Sequence, residues 1–394
     1  MPRAPAAPTA CTRAAARPEL ERDRWVRLVR GRGWDGDANE VGGPRGWAPL
    51  HYVCHSCWAS VDLARELLAR GADPDAYFAN EHGPMSVLFG AAGVLHDPEL
   101  TELLLVHGAD PNGEPHFGDA PYHSVESPDP ACLRLLLRHG ARPAGSAALA
   151  HALDFERPEH VRLLLEAGAD PNEGALLVHA VRRGRGVDYI RLLAEHGAEL
   201  DRRGGEWSTP PEHHRTAYEN ALLRGRGDVA ALLAELGAFE RVRPGDRAVA
   251  AVARGERPSE PLPDPLDPDA QEVLTLAALD GRLELVVELL GAGAFTHVGG
   301  GPPGTLLHHA CWAGDPRVVR RLLELGADPR ARSGAEFDTP VAWAVLASQY
   351  HGIPGRDYVG VVQSLVAAGA ELEDRFADVA EGPLAAWLEE RLGG

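Results

Sequence analysis

One phrase returns nine times along the chain, as LLARGAD, LLVHGAD, LLRHGAR, LLEAGAD, LLAEHGAE, LLAELGA, LLGAGA, LLELGAD and LVAAGAE. Its glycine stands at Gly71, Gly108, Gly140, Gly168, Gly197, Gly237, Gly293, Gly326 and Gly369, a mean spacing of about 37 residues, which is the range of stacked repeats. Units of this size cannot bury an apolar face alone, so each must be completed by its neighbours. The lettering has a local cause as well. Paired leucines supply a buried stripe one turn before a helix end, and the glycine takes the left-handed backbone that stops the helix, where a side chain would cost about 1 kcal/mol. His107, His139 and His196, placed just before three of these glycines, sit where a helix dipole favours a cation and read as helix-end residues.

Upstream of each ending lies a shorter stretch rich in small residues: APLHYVC at Ala48 to Cys54, GPMSVLF at Gly83 to Phe89, APYHSVE at Ala120 to Glu126, TLLHHACWAGD at Thr305 to Asp315 and DTPVAWAV at Asp338 to Val345. A unit that opens on TPLHxAAxxG, continues into a helix ending LLxxGAD and then turns back resembles the ankyrin repeat, and Thr305 to Pro329 follows that pattern nearly throughout, with Leu306 in place of the usual proline. The resemblance covers roughly Gly46 to Leu372. It implies an all-α repeat solenoid of stacked antiparallel helix pairs joined by short hairpin turns, curved so that first helices and turns line a concave face. It also implies that His51, His123 and His308 bond to the backbone of a turn.

The chain accordingly divides into a disordered tail with a possible capping helix at 1–45 and a first repeat block at 46–240. A degenerate repeat or Pro/acidic linker at 241–270 precedes a second block at 271–372 and a C-terminal capping helix at 373–394. The linker expectation rests on RPSEPLPDPLDPD, whose prolines interrupt helical hydrogen bonding. Its Asp264, Asp267 and Asp269 lack the glycine and distal glutamate of a calcium loop and read as a solvated acidic run. Connection lengths also vary. Regular units take twelve residues from the terminal glycine to the next first helix, as from Gly71 to Gly83, Gly108 to Ala120 and Gly293 to Thr305. Two take seven, Gly140 to Ala147 and Gly168 to Ala175, and one takes nineteen, Gly197 to Thr216. Trp207 in that long polar connection is an interface-type anchor, and Tyr77, Phe78, His116 and Phe117 on regular turns extend the same expected partner-binding surface.

Chemistry finds little foothold. All 39 basic residues are arginine, which disfavours a Walker loop, a protein kinase, a pyridoxal phosphate enzyme and an SxxK hydrolase, each dependent on lysine. Absent lysine and near-absent isoleucine, only Ile190 and Ile353, read as the mark of a GC-rich bacterial genome. A net charge of −19 opposes binding to phosphate backbones. Five cysteines at irregular spacing do not make a disulfide framework and suit a reducing cytosol. The opening MPRAPAAPTACTRAAAR has no apolar core for a signal peptide, and no stretch is apolar for long enough to span a bilayer. GRGWDG at Gly31 to Gly36 follows a charged amphipathic helix instead of a buried strand, so it is not a dinucleotide loop.

The CxxC of Cys54 and Cys57 is the remaining motif. Laid over TLLHHACWAGD, His51 falls on His308 and Cys54 on Cys311, which makes both scaffold positions. A tetrahedral zinc site also lacks its second ligand pair. The reading is therefore a non-enzymatic, cofactor-free cytosolic scaffold that binds a protein, with no nucleic acid or membrane partner and an open oligomeric state. A metal- or thiol-binding protein using Cys54 and Cys57 is the alternative, and an enzyme built on the array is a weaker one.

Overall fold

The computed structural model describes residues 23–56, 60–80, 83–112, 120–205, 210–298, 303–334, 338–350 and 355–392. It forms two compact units, Met1–Glu199 and Leu200–Gly394. In the first unit, α1 (Arg24–Val29) precedes α2 (Pro49–Cys54) and α3 (Val61–Ala69), and the hairpin β1 (Tyr77–Asn80) and β2 (Gly83–Ser86) follows. Next come α4 (Val87–Phe89, continued by a π turn over Gly90–Val94), α5 (Pro98–Val106), α6 (Ala120–Ser124) and α7 (Ala131–Arg138). The unit closes with α8 (Ala148–Asp154), α9 (Pro158–Glu166), α10 (Leu176–Arg182) and α11 (Val187–Glu195).

Helix pairs stack as the repeat requires. The first helices α2, α4, α6, α8 and α10 pack in series, and the second helices do the same in the pairs α3 with α5, α5 with α7, and α9 with α11. The expected first helix over Gly83 to Phe89 begins only at Val87. Gly83 to Ser86 instead pairs with β1, and the Ser86 hydroxyl then accepts the Phe89 N–H at 3.0 Å to start the helix.

Eight of the nine phrase glycines adopt the same ending. Gly71, Gly108, Gly140, Gly168, Gly197, Gly237, Gly326 and Gly369 have φ between 86° and 99°. The alanine after each donates its N–H to the carbonyl of a leucine five residues earlier in the phrase, from Ala72 to Leu67 at 2.9 Å through Ala370 to Leu365 at 3.0 Å. Each such leucine is fully buried and each alanine nearly so. One bond thus closes the helix and folds the alanine onto its apolar stripe, which is why LLxxGA recurs as a block. The exception is Gly293. LLGAGA offers two glycines, and the helix stops at the earlier one, Gly291, with φ 84°.

Successive endings are tied together by the side chain four residues past the glycine. Asp75 Oδ1 accepts the N–H of Asp110 at 2.6 Å. Asn112 accepts from Arg142 N–H at 2.8 Å and donates to the Gly140 carbonyl at 3.2 Å. Asn172 does the same with Glu199 at 2.7 Å and Gly197 at 3.0 Å.

The second unit contains α12 (Ala217–Leu223), α13 (Gly227–Glu235), α14 (Asp246–Ala253), α15 (Pro268–Ala277), α16 (Leu283–Leu290) and the hairpin β3 (Phe295–Thr296) with β4 (Gly304–Thr305). It ends with α17 (Leu306–Ala313), α18 (Pro316–Glu324), α19 (Pro340–Ala347), α20 (Tyr358–Ala367), α21 (Arg375–Val379) and α22 (Gly382–Leu392). A continuous apolar core runs from Leu223 to Leu388. The proline-rich stretch follows α14 as irregular backbone and ends at α15.

Two of its aspartates, the partly buried Asp267 and the buried Asp269, are turned toward an arginine and not toward solvent. Arg215, with 2 % of its side chain exposed, donates to Asp246 at 2.7 Å and to Asp267 at 2.5 Å, and stands 3.5 Å from Asp269. These acids lie at the N-termini of α14 and α15, where helix dipoles add to the attraction for negative charge, and Asp267 also caps α15 by accepting the Ala270 N–H at 2.9 Å. The acidic run is a clamp around one buried arginine; only Asp264 of the three stays exposed. No described helix is long and apolar enough to cross a membrane.

Candidate functional site

Of the residues singled out for partner binding, Trp207, His116 and Phe117 lie outside the described residues. Tyr77 and Phe78 sit side by side on β1 with opposite fates, as alternation along a strand dictates. Tyr77 is 70 % exposed. Phe78 turns inward, stacks on Trp47 at 4.3 Å and meets the edges of His51 and His55 at 5.4 and 5.6 Å. Burial holds both of these histidines neutral, with pKa values pushed down to about 4. Cys54 is completely buried, and desolvation raises its thiol far above the ordinary range, away from the thiolate that metals and disulfides require. Cys57 lies outside the described residues.

From His55 the rings continue along the first helices. His55 packs on Phe89 at 5.8 Å, Phe89 on His123 at 5.0 Å, and Tyr122 on both His123 at 4.9 Å and His151 at 3.8 Å, the last pair parallel to within 9°. His123, His151 and His179 occupy the same position of α6, α8 and α10 and recur every 28 residues. They hold a ladder of carboxylates. Glu126 Oε1 accepts from His123 Nδ1 at 2.6 Å and from His151 Nε2 at 3.2 Å. Asp154 accepts from His179 Nε2 at 2.9 Å and Arg183 Nε at 2.7 Å, and lies 3.9 Å from the other nitrogen of His151.

His308 in the second unit shows what the ladder replaces. Its Nε2 donates to the Asp338 carbonyl in the following turn at 2.9 Å, and its Nδ1 accepts the Thr305 N–H at 3.1 Å, as the resemblance implies. His123, expected to do likewise, bonds to Glu126 instead. The turns that follow His123 and His151 are the two trimmed connections, which contain no strand and enter their helices through the left-handed alanines Ala147 (φ 55°) and Ala175 (φ 59°). With the hairpin shortened, the imidazoles turn to carboxylates. That exchange is long-range and was not read from the sequence, although the 28-residue recurrence of the histidines was there to signal it.

Charge follows the bonding. Burial works against ionisation of Glu126, but the donors of His123 and His151 prevail and hold its carboxyl at about 2. Asp154 is shifted down for the same reason, its burial outweighed by His151 and His179. His151 loses basicity to burial and regains more from Asp154 and Glu126, so its pKa is raised. Three groups, His123, Glu126 and His151, place one possible ligand atom each within 4.8 Å of one another.

Comparison with known proteins agrees with this architecture. Family models of the ankyrin repeat match residues 45–77 and 305–334, and a three-copy ankyrin model matches residues 88–175. The chain contains ankyrin repeats. Among solved structures it is similar to the human ASB11 ankyrin repeat domain, at 22% identity over 59% of this chain and 96% of that one, with a TM-score of 0.43. It is also similar to the ankyrin repeat domain of Bcl-3, described as a unique member of the IkappaB protein family, at 26% identity over 49% of this chain and 88% of that one, with a TM-score of 0.40. No curated protein sequence matches it.

Proposed function

We propose that this chain is a non-enzymatic, cytosolic interaction module that holds a protein partner on its first helices and projecting turns. Ankyrin repeats are in general protein-binding units, and their stacked repeats offer extended concave surfaces. The observation that carries the reading is the partly buried row of rings and ionisable groups along the first helices from Trp47 to Phe155, with His51 fully buried beneath it, flanked by exposed Tyr77 on a turn. Half-buried aromatic groups with polar rims suit the anchoring residues of protein interfaces. Trp207, on the longest connection, is proposed from its residue type alone as a further anchor for the partner.

Proximity labelling in the native organism, followed by binding measurements with the purified partner, tests this. Tyr77→Ala and Trp207→Ala should weaken partner capture at unchanged melting temperature. If Trp207→Ala lowers the melting temperature and spares capture, that residue is packing and the proposed face is wrong.

A further inference from the structure

We propose that His123, Glu126 and His151 form a binding site for one divalent transition metal ion of the zinc class, bridging two successive repeats. Two imidazole nitrogens and a carboxylate are the ligand set such ions take, whereas calcium and magnesium need oxygen donors. The spacing suits it. Metal–ligand bonds of about 2.0–2.2 Å place neighbouring donors of a tetrahedral ion about 3.3 Å apart. The two pairs that share Glu126 stand at 2.6 and 3.2 Å. The third pair, His123 with His151, is at most 4.8 Å apart, so it closes by about 1.5 Å or less, within reach of small side-chain rotations.

The surroundings are those of a built site. A metal-bound histidine characteristically turns its other nitrogen to a carboxylate, and His151 Nδ1 faces Asp154 at 3.9 Å while Nε2 faces Glu126. Asp154 is itself held by His179 and Arg183. The stacked ring of Tyr122 fixes the plane of His151, the edge-on Phe89 confines His123, and Arg157 donates to the Glu126 carbonyl at 3.3 Å. The three ligand side chains are 25 %, 30 % and 14 % exposed, which leaves solvent a path to the remaining coordination position. His123 and Glu126 come from one repeat and His151 from the next, so the ion would clamp the stack where the hairpin has been trimmed.

Zinc chloride titrated into the metal-free full-length chain, with competition by a chromophoric chelator, measures the site. One Zn²⁺ should bind, weakened at least 10-fold by Glu126→Gln and by His151→Ala, weakened by Asp154→Asn, and unaltered by Cys57→Ser. No stoichiometric binding, equal affinity in Glu126→Gln, or loss in Cys57→Ser alone would each overturn the proposal. Should the ladder variants fail to fold, the Co²⁺ spectrum of the wild-type chain decides. Low-coordinate d–d bands without thiolate charge transfer support the site, and a thiolate band or featureless six-coordinate spectrum sinks it.

Discussion

Replacing Arg215 by methionine removes the cation from the buried clamp while keeping most of the volume of its side chain. What remains is Asp246 and Asp269, each with 2 % of its side chain exposed, without the guanidinium they shared. Breaking a buried ion pair from one side costs about 3–5 kcal/mol. A separate argument bounds the figure. The stranded carboxylate can escape by taking a proton, and for an aspartate with an unfolded pKa near 3.9 this costs about 4 kcal/mol at pH 7, at 1.36 kcal/mol per unit. Burial already pushes Asp246 upward against the pull of Arg215, so protonation is its route.

That route fixes the pH dependence. In the variant the folded state holds a proton that the unfolded chain releases, so stability should fall as pH rises above about 4, and the deficit against wild type should shrink toward pH 5. Urea denaturation of the full chain followed by circular dichroism at pH 7.5 and 5, with hydrogen exchange over residues 246–277, measures both effects. Asp246→Asn with Asp269→Asn should recover part of the loss. A deficit below about 1 kcal/mol at pH 7.5, or one that does not change with pH, would refute the clamp as a buried charge cluster.

Two further outcomes follow from the scaffold. Gly168 and Gly326 have φ of 90° and 94°, and a Cβ at either would meet no atom within 4 Å. Valine there should therefore cost about 1 kcal/mol or more from backbone strain alone, and melting curves equal to wild type would contradict the assigned helix endings. His51, His55, His160 and His309 are kept neutral by burial down to about pH 4. Since the unfolded chain takes up these protons near pH 6.5, the contribution of these four rings should be level above that pH and be lost between 6.5 and 4, by on the order of 1–3 kcal/mol per histidine. A melting temperature that stays constant from pH 7.5 to 4.5 would count against the buried, uncharged state of these rings.

What could be read from the sequence was whatever a single repeat contains. The leucine pair, the glycine stop and the small residues of the first helix act over a few positions, so they showed as a recurring phrase. Where two local signals competed the reading failed: LLGAGA holds two possible stops, and nothing in the phrase alone favours Gly291 over Gly293. Contacts between repeats were harder still. Asp267 and Asp269 lie far along the chain from Arg215 and appear in sequence as one more acidic run beside prolines. The histidine ladder depends on a turn that is missing and on carboxylates one repeat away, so the turn lengths were legible but not what the imidazoles would bond to in their place.

The ladder is written between one position of a repeat and another position of the repeat before it, and it names no particular pair. Loss of residues 141–168 would set His179 where His151 now stands, facing Glu126, while duplication of the same stretch would add one more rung. A change of copy number in this part of the chain would therefore still leave each histidine facing a carboxylate at the corresponding position of the repeat before it. The polar face travels with the repeat in the same way that its leucines do.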